Sequence, residues 1–208
     1  MIAIVDYGVG NLFSLKSSFA HIGIEAVVTG EKEIIEKADK IILPGVGAFG
    51  DAIGKLKSTG LDKVVTDEAK KGKPIMGICL GMQLLLEKSY EYGEYEGLGL
   101  IEGEIRPISD VIDKNLKIPH IGWNPLLIKG EKSPIFKYLN DGDCVYFVHS
   151  YYGAGCEKST IATAEYSHEL TAAVAKGNVF GCQFHPEKSG NVGLGILKAF
   201  CEIGGDEK

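Results

Sequence analysis

"KPIMGICLGMQLLLEKS", Lys73–Ser89, decides the fold. Pro74 to Ile78 reads as a short buried strand. Leu80 to about Lys88 reads as a helix, with Leu, Met and Gln in helical proportions. Cys79 stands at the corner, with Gly77 and Gly81 two residues away on either side. A sharp strand-to-helix turn lifts one side chain above a sheet, and small residues flank it because the backbone is tight there. G-I-C-L-G has the pattern of a nucleophile elbow with sulfur in place of the hydroxyl. The free N–H groups and positive end of the following helix favour a thiolate and a neighbouring oxyanion. The competing reading is a free cysteine packed as a small hydrophobe. That second reading is the expectation for Cys144, Cys156, Cys182 and Cys201.

Working outward, the N-terminal two-thirds alternate strand and helix. Ile2–Val5 is a strand ending at Asp6, and Asn11 caps a helix running to about Ile22. Glu25–Val28 and Lys40–Leu43 are strands. Helices are expected from about Asp51 and over Leu61–Lys71. Short apolar strands separated by helices imply parallel pairing with both faces covered. After Glu91 the runs LGLIEGEIRPI, KIPHIGWNPLLI, DCVYFVHSYY, STIATAEYS, LTAAVAKG and NVFGCQFH are strand-like and broken by Gly, Pro and Asn. They read as antiparallel additions to a mixed sheet, closed by a helix over Asn191–Ile203. No repeat and no long linker divides the chain, so residues 1–208 are expected to form one domain.

Composition narrows the function classes. The 208 residues carry 22 Lys and Arg against 28 Asp and Glu, a net charge of −6, which disfavours a general nucleic-acid or membrane-surface binder. Five cysteines without C-x-x-C spacing argue against a disulfide framework or a structural zinc site and fit a reducing cytoplasm. The start MIAIVDYG meets Asp6 too soon for a signal peptide. No apolar run approaches the roughly 18 to 20 residues that span a bilayer.

PGVGAFG, Pro44–Gly50, contains a literal G-x-G-x-x-G. A dinucleotide site also wants an acidic residue about 20 positions on, at the end of the next strand, and that strand ends at Cys79 instead. The other use of a glycine-rich strand end is to present bare backbone N–H groups as an oxyanion hole. QFHPEKS, Gln183–Ser189, is the second chemical element. In an extended chain residues i and i+2 share a side, so His185 and Glu187 can face each other while the free imidazole nitrogen acts as base. Cys79, His185 and Glu187 then supply the three roles of a nucleophilic triad. His21 and His168 are expected to have no role. His120 and His149 read equally as pocket edge or as buried residues, and Trp123 as core or surface.

GICLGMQ together with QFHPEKS resembles the class I, triad-type glutamine amidotransferases. DYGVGN, LPGVGAFGDA, HIGWN and YFVHSYY are similar to the glutaminase subunits of imidazole glycerol phosphate synthases, and the resemblance covers Ile2 to about Phe200. It implies a three-layer, flavodoxin-like α/β fold of the class I glutaminases, with a mixed, mainly parallel central sheet. It implies a cytoplasmic enzyme of histidine biosynthesis without cofactor or metal. Cys79 would attack glutamine, His185 would move the protons, and Glu187 would orient it. The N–H groups of Leu80 and of Val46 or Gly47 would hold the oxyanion. Gly45, Gln83 and Glu91, with the backbone of His149, Ser150 and Tyr151, would bind the rest of glutamine. Ammonia would pass to a separate (β/α)8-barrel cyclase, met through Asn11, Trp123, Tyr146 and Lys188. A paralogue serving surface-sugar amidation, a cysteine-elbow peptidase and a stress protein are the alternatives.

Overall fold

The computed structural model describes residues 1–204. Its first half runs β1 (Ile2–Val5), α1 (Leu12–His21), β2 (Ala26–Thr29), α2 (Lys32–Lys37), β3 (Lys40–Leu43), α3 (Phe49–Ser58), α4 (Leu61–Lys70), β4 (Ile75–Ile78) and α5 (Leu80–Leu85). Then follow β5 (Lys88–Ser89), β6 (Tyr95–Glu96), β7 (Glu104–Pro107), β8 (His120–Pro125), β9 (Leu127–Ile128), β10 (Cys144–His149), β11 (Tyr151–Ala154), β12 (Thr160–Glu165), β13 (Glu169–Lys176), β14 (Val179–Cys182) and α6 (Gly190–Glu202).

The central sheet has eight strands in the order β2-β1-β3-β4-β14-β13-β12-β9. Pairing is parallel from β2 through β14 and antiparallel beyond it. Side chains alternate across a strand, and β1 shows the consequence. Ala3 and Val5 pack with Ile35, Leu56, Val65 and Leu80, on the face covered by α2 to α5. Ile2 and Ile4 pack with Phe19, Leu197 and Phe200, on the face covered by α1 and α6. Continuous burial of β1, β3, β4 and β14 follows from having helices on both faces. The expected three-layer, mainly parallel architecture is what the chain adopts. β8 and β10 form a separate two-stranded ribbon, and β11-β7-β5-β6 a small third sheet.

Several elements differ from the expectation. The helix after Cys79 stops at Leu85 instead of running to Lys88. The carbonyls of Leu84, Leu85 and Leu86 accept from Leu98, Leu100, Ile101 and Gly99 instead of from a further helical turn. For the same reason Leu98–Ile101 is an irregular loop, and only Glu104–Pro107 of that run is a strand. DCVYFVHSYY is two strands broken at Ser150, one in the ribbon and one in the third sheet. Helix α2 carried no periodic signal strong enough to be expected; Ile35 is its one buried residue. Cys144 is exposed rather than packed, and Cys201 is half-buried, while Cys156 and Cys182 are buried as expected.

Candidate active site

The strand ends of β3, β4 and β14 converge on Cys79. At the end of β4 the backbone turns through φ 53° and ψ −112° at Cys79, a conformation that L residues rarely adopt. Such a residue costs on the order of 1–3 kcal/mol and persists where surrounding structure over-determines it. Here the amide of Cys79 donates to Cys182 O at 2.7 Å, and α5 starts at the next residue. The flanking glycines are required by contact. A Cβ on Gly77 would sit 2.6 Å from Gly81 O, and a Cβ on Gly45 would sit 2.7 Å from Gly81 N. Strand β4, the first turn of α5 and the segment after β3 touch backbone to backbone.

The Pro44–Gly47 segment is tied from below. Tyr7, at the end of β1, donates its hydroxyl to Pro44 O at 2.7 Å, and burial raises its pKa. Beyond that anchor Gly47 has φ 93°, and Val46 is 41% exposed. Among the described residues neither Val46 nor Gly47 donates its N–H to a protein acceptor.

His185 is buried, and its Nδ1 lies 2.8 Å from Glu187 Oε1. The backbone between them is not extended, as the i, i+2 argument supposed. Pro186–Lys188 is a 3-10 turn, closed by Lys188 N–H on His185 O and sealed by Ser189 Oγ donating to the same carbonyl at 2.6 Å. The turn brings the pair together all the same. Burial opposes a charge on His185, but the Cys79 sulfur and the Glu187 carboxylate outweigh it and hold the pKa up at about 9. A raised pKa favours the charged imidazole, held at Nδ1 by Glu187. Glu187 Oε2 is buried without a hydrogen-bond partner among the described residues.

A cavity of about 390 Å³ opens over this group. Val46, Gly47, Cys79, Leu80, Gln83, Glu91, His149, Ser150, Tyr151, His185 and Lys188 line it, and Gly45 lies beneath, packed on Leu80. The residues expected at the triad, the oxyanion hole and the substrate pocket thus line one cavity, except Gly45 and Glu187, which contact it through Leu80 and His185. A larger hollow, about 640 Å³, lies along Glu87, Lys88 and Glu102 and holds no nucleophile, so size does not identify the site. Glu91 Oε2 accepts from Phe49 N–H at 2.7 Å, at the first residue of α3, and burial raises its pKa. His149 lines the cavity and is buried, with both ring nitrogens engaged. Trp123 is 56% exposed, which excludes the core reading. Its ring lies 6.0 Å from that of Tyr146, and Lys188 Nζ sits 5.9 Å over Tyr146. Asn11 caps α1, its Oδ1 accepting from Ser14 N–H at 3.4 Å.

One site residue had no role in the sequence reading. Gln183 is fully buried; its Nε2 donates to Cys79 Sγ at 3.8 Å, and its Oε1 accepts from Gln83 Nε2 at 2.9 Å. Its position two residues before His185, on the continuation of a strand, was the available signal.

The sequence matches the family described as "Glutamine amidotransferase class-I" over residues 3–202. A protein of Caldanaerobacter subterraneus subsp. tengcongensis named "Imidazole glycerol phosphate synthase subunit HisH" is 50% identical over 204 residues, 98% of each chain. One of the same name from Lactococcus lactis is 50% identical over 202 residues, covering 97% of this chain and 98% of its own. Among solved structures, "Structure of PurLQS from Thermotoga maritima" superposes with a TM-score of 0.75 at 21% identity, covering 97% of both chains. A "Crystal structure of glutamine amidotransferase" gives a TM-score of 0.74 at 19% identity, covering 97% of this chain and 100% of that one.

Proposed function

Because this chain belongs to the class I glutamine amidotransferases, we propose that it is the glutaminase subunit of an imidazole glycerol phosphate synthase in histidine biosynthesis. It hydrolyses glutamine to glutamate and ammonia. The observation that carries the reading is the strained Cys79 elbow lining one cavity with His185, whose Nδ1 is held by Glu187. Identity near 50% over almost the whole length of relatives bearing that synthase name favours the histidine pathway over a sugar-modifying paralogue.

The chemistry runs in two halves. Cys79 attacks the side-chain amide carbon as the thiolate of a thiolate–imidazolium pair, and the carbonyl oxygen becomes an oxyanion held by N–H groups of Leu80 and of Val46 or Gly47. The C–N bond breaks as His185 passes its proton to the leaving nitrogen, giving ammonia and a γ-glutamyl thioester. His185, now neutral, takes a proton from water; the hydroxide attacks the thioester carbon, and glutamate leaves as the thiolate reforms. Glu187 holds the imidazole. Gln83 has its Nε2 committed to Gln183 and to Tyr151 O. That leaves its side-chain oxygen as the acceptor that, with Glu91, we assign to the ammonium end of glutamine. The chain works in the cytoplasm as one domain. It delivers ammonia to a separate cyclase, a (β/α)8 barrel that yields imidazole glycerol phosphate and aminoimidazole carboxamide ribotide. The reading is tested by supplying a candidate cyclase, its ribulosyl-phosphate substrate and glutamine. Imidazole glycerol phosphate must form with this chain and not without it.

His185→Asn is expected to lower glutamine turnover by about 10²- to 10⁴-fold, because it removes the acid and the base of both halves. Glu187→Gln is expected to lose less, since the imidazole stays. A stability signature accompanies this. The folded-state pKa of about 9 lies above the ordinary 6.5. A raised pKa contributes stability that is complete below pH 6.5 and is lost as pH rises through about 9. The thermal midpoint of the wild type should fall across that window, and His185→Asn should flatten the fall. An unchanged slope in the variant would remove His185 as the titrating group.

Partner docking is expected to raise glutaminase turnover by about 10²- to 10³-fold, the usual worth of one oxyanion donor. The Val46–Gly47 peptide is free of protein hydrogen bonds and contains a glycine, so its orientation changes at low steric cost. A cyclase that binds only the competent orientation shifts the population toward it. Trp123, Tyr146 and Lys188 form the docking patch, with Asn11 as a further contact. Trp123→Ala should weaken cyclase binding at unchanged thermal stability. Full glutaminase activity in the lone chain would reject partner gating.

A further inference from the structure

Four hydrogen-bonded links run in a row from the cavity to the surface ribbon. His149 Nδ1 lies 2.9 Å from Tyr151 O, and His149 Nε2 lies 3.0 Å from His120 Nδ1. His120 Nε2 lies 2.8 Å from the Asn124 side-chain oxygen, and Asn124 Nδ2 donates to Glu165 O at 3.0 Å. At the inner end Tyr151 O also accepts from Gln83 Nε2 at 3.3 Å, and through Gln83 and Gln183 the contacts continue to Cys79 Sγ. At the outer end Asn124 follows the exposed Trp123 on β8.

Both ends of this row are carbonyls, which only accept. A neutral imidazole has one N–H, and the amide nitrogen can face one way at a time. Burial lowers the pKa of His149 to about 4 and also lowers that of His120, so both rings are neutral at pH 7. Four links then share three N–H donors. In the inward register both rings carry the proton on Nδ1, Tyr151 O is satisfied, and the shortfall falls at Asn124. In the outward register both carry it on Nε2, and a bare His149 Nδ1 is pressed against the Tyr151 carbonyl. The inward register is favoured because its shortfall is repaired by turning the Asn124 amide, whose two ends have the same shape. The Glu165 carbonyl so released is exposed and takes water, whereas an unsatisfied group toward the interior keeps its full penalty.

We propose that His120 is a positioning residue for the glutamine pocket: its Nδ1–H, donated to His149 Nε2, keeps His149 in the tautomer that holds the Tyr151 carbonyl. The choice of glutamine as ligand rests on the reading above; the tautomer does not. His120 also stacks on Tyr166, centroids 4.2 Å apart, and on Phe147 at 5.2 Å, so its shape alone could explain its place. The test separates shape from hydrogen. His120→Phe keeps the stacked ring and has no N–H. His120→Asn loses the ring but can place an amide N–H where Nδ1 stood.

With the cyclase complex, His120→Phe should raise the KM for glutamine roughly tenfold with kcat little changed, and His120→Asn should return it most of the way. Nitrogen-15 NMR of the histidine-labelled full chain should show both His120 and His149 neutral and protonated on Nδ1. Three results overturn the proposal: His149 protonated on Nε2, an unchanged KM in His120→Phe, or equal damage in His120→Asn and His120→Phe. The wild-type tautomers decide it even where a variant does not fold. A wild-type complex with no glutamine turnover would instead sink the proposed function, and the tautomers would still judge this proposal.

Discussion

Cys79→Ala is expected to abolish glutamine-dependent synthesis and to leave ammonium-dependent synthesis by the complex intact. Without the sulfur no thioester forms, and removal of a covalent nucleophile typically costs on the order of 10⁶ in turnover. In the proposed function the cyclase chemistry belongs to the partner and needs only ammonia, so ammonium salts should restore product. Measuring imidazole glycerol phosphate from both nitrogen sources checks this. Retained glutamine turnover would remove Cys79 from the mechanism. The exposure of Cys144 sharpens a companion experiment. A simple alkylating agent should reach Cys144 first, because it is the exposed thiol. A glutamine-shaped electrophile should instead label Cys79, because the cavity selects it. Peptide mass mapping separates the two, and labelling that follows exposure with both reagents would argue against a glutamine site.

Gly81→Ala is expected to prevent the native fold from forming. A Cβ there would lie 1.8 Å from Leu43 O, inside covalent-like range of a backbone atom that cannot move aside. The loss should exceed about 4 kcal/mol, in the range reserved for single changes that break a core contact outright. Gly54→Ala is the control. Gly54 lies within α3, exposed, with nothing within 4 Å of the added carbon. Alanine there should stabilise by about 1 kcal/mol through helix propensity. Denaturant unfolding of both variants tests the pair. A soluble, natively folded Gly81→Ala protein would show that the elbow tolerates a wider approach than its contacts allow.

Much of this was legible one segment at a time. β1 and β3 lie where their short apolar runs stood, and Asn11 caps α1 as its side-chain chemistry suggested. These are local matters: alternation, capping and steric limits act between residues a few positions apart. The elbow was legible for the same reason, since glycines at ±2 around a cysteine record a tight turn. Where distant segments compete for the same backbone groups, the segment alone misled. The end of α5 is set by Leu98–Ile101 taking its carbonyls, and nothing in Leu84–Lys88 announces it. The break of DCVYFVHSYY at Ser150 depends on two different partner strands, β8 and β7.

By itself the sequence determined that the chain alternates strands and helices into a parallel layer, that Cys79 stands at a tight strand-to-helix corner between glycines, and that a histidine and a carboxylate stand two residues apart. Only the tertiary structure decided what those groups touch. Gln83 and Gln183 are 100 positions apart and share a hydrogen bond at 2.9 Å. They meet because β14 pairs with β4 in parallel and brings Cys182 beside Ile78. Likewise His120 and His149 face each other because β8 and β10 pair in that register, and only then does the row of donors acquire a direction. Local chemistry is written residue by residue, whereas the sharing of protons between side chains requires a distance, and distance is set by which strands lie side by side.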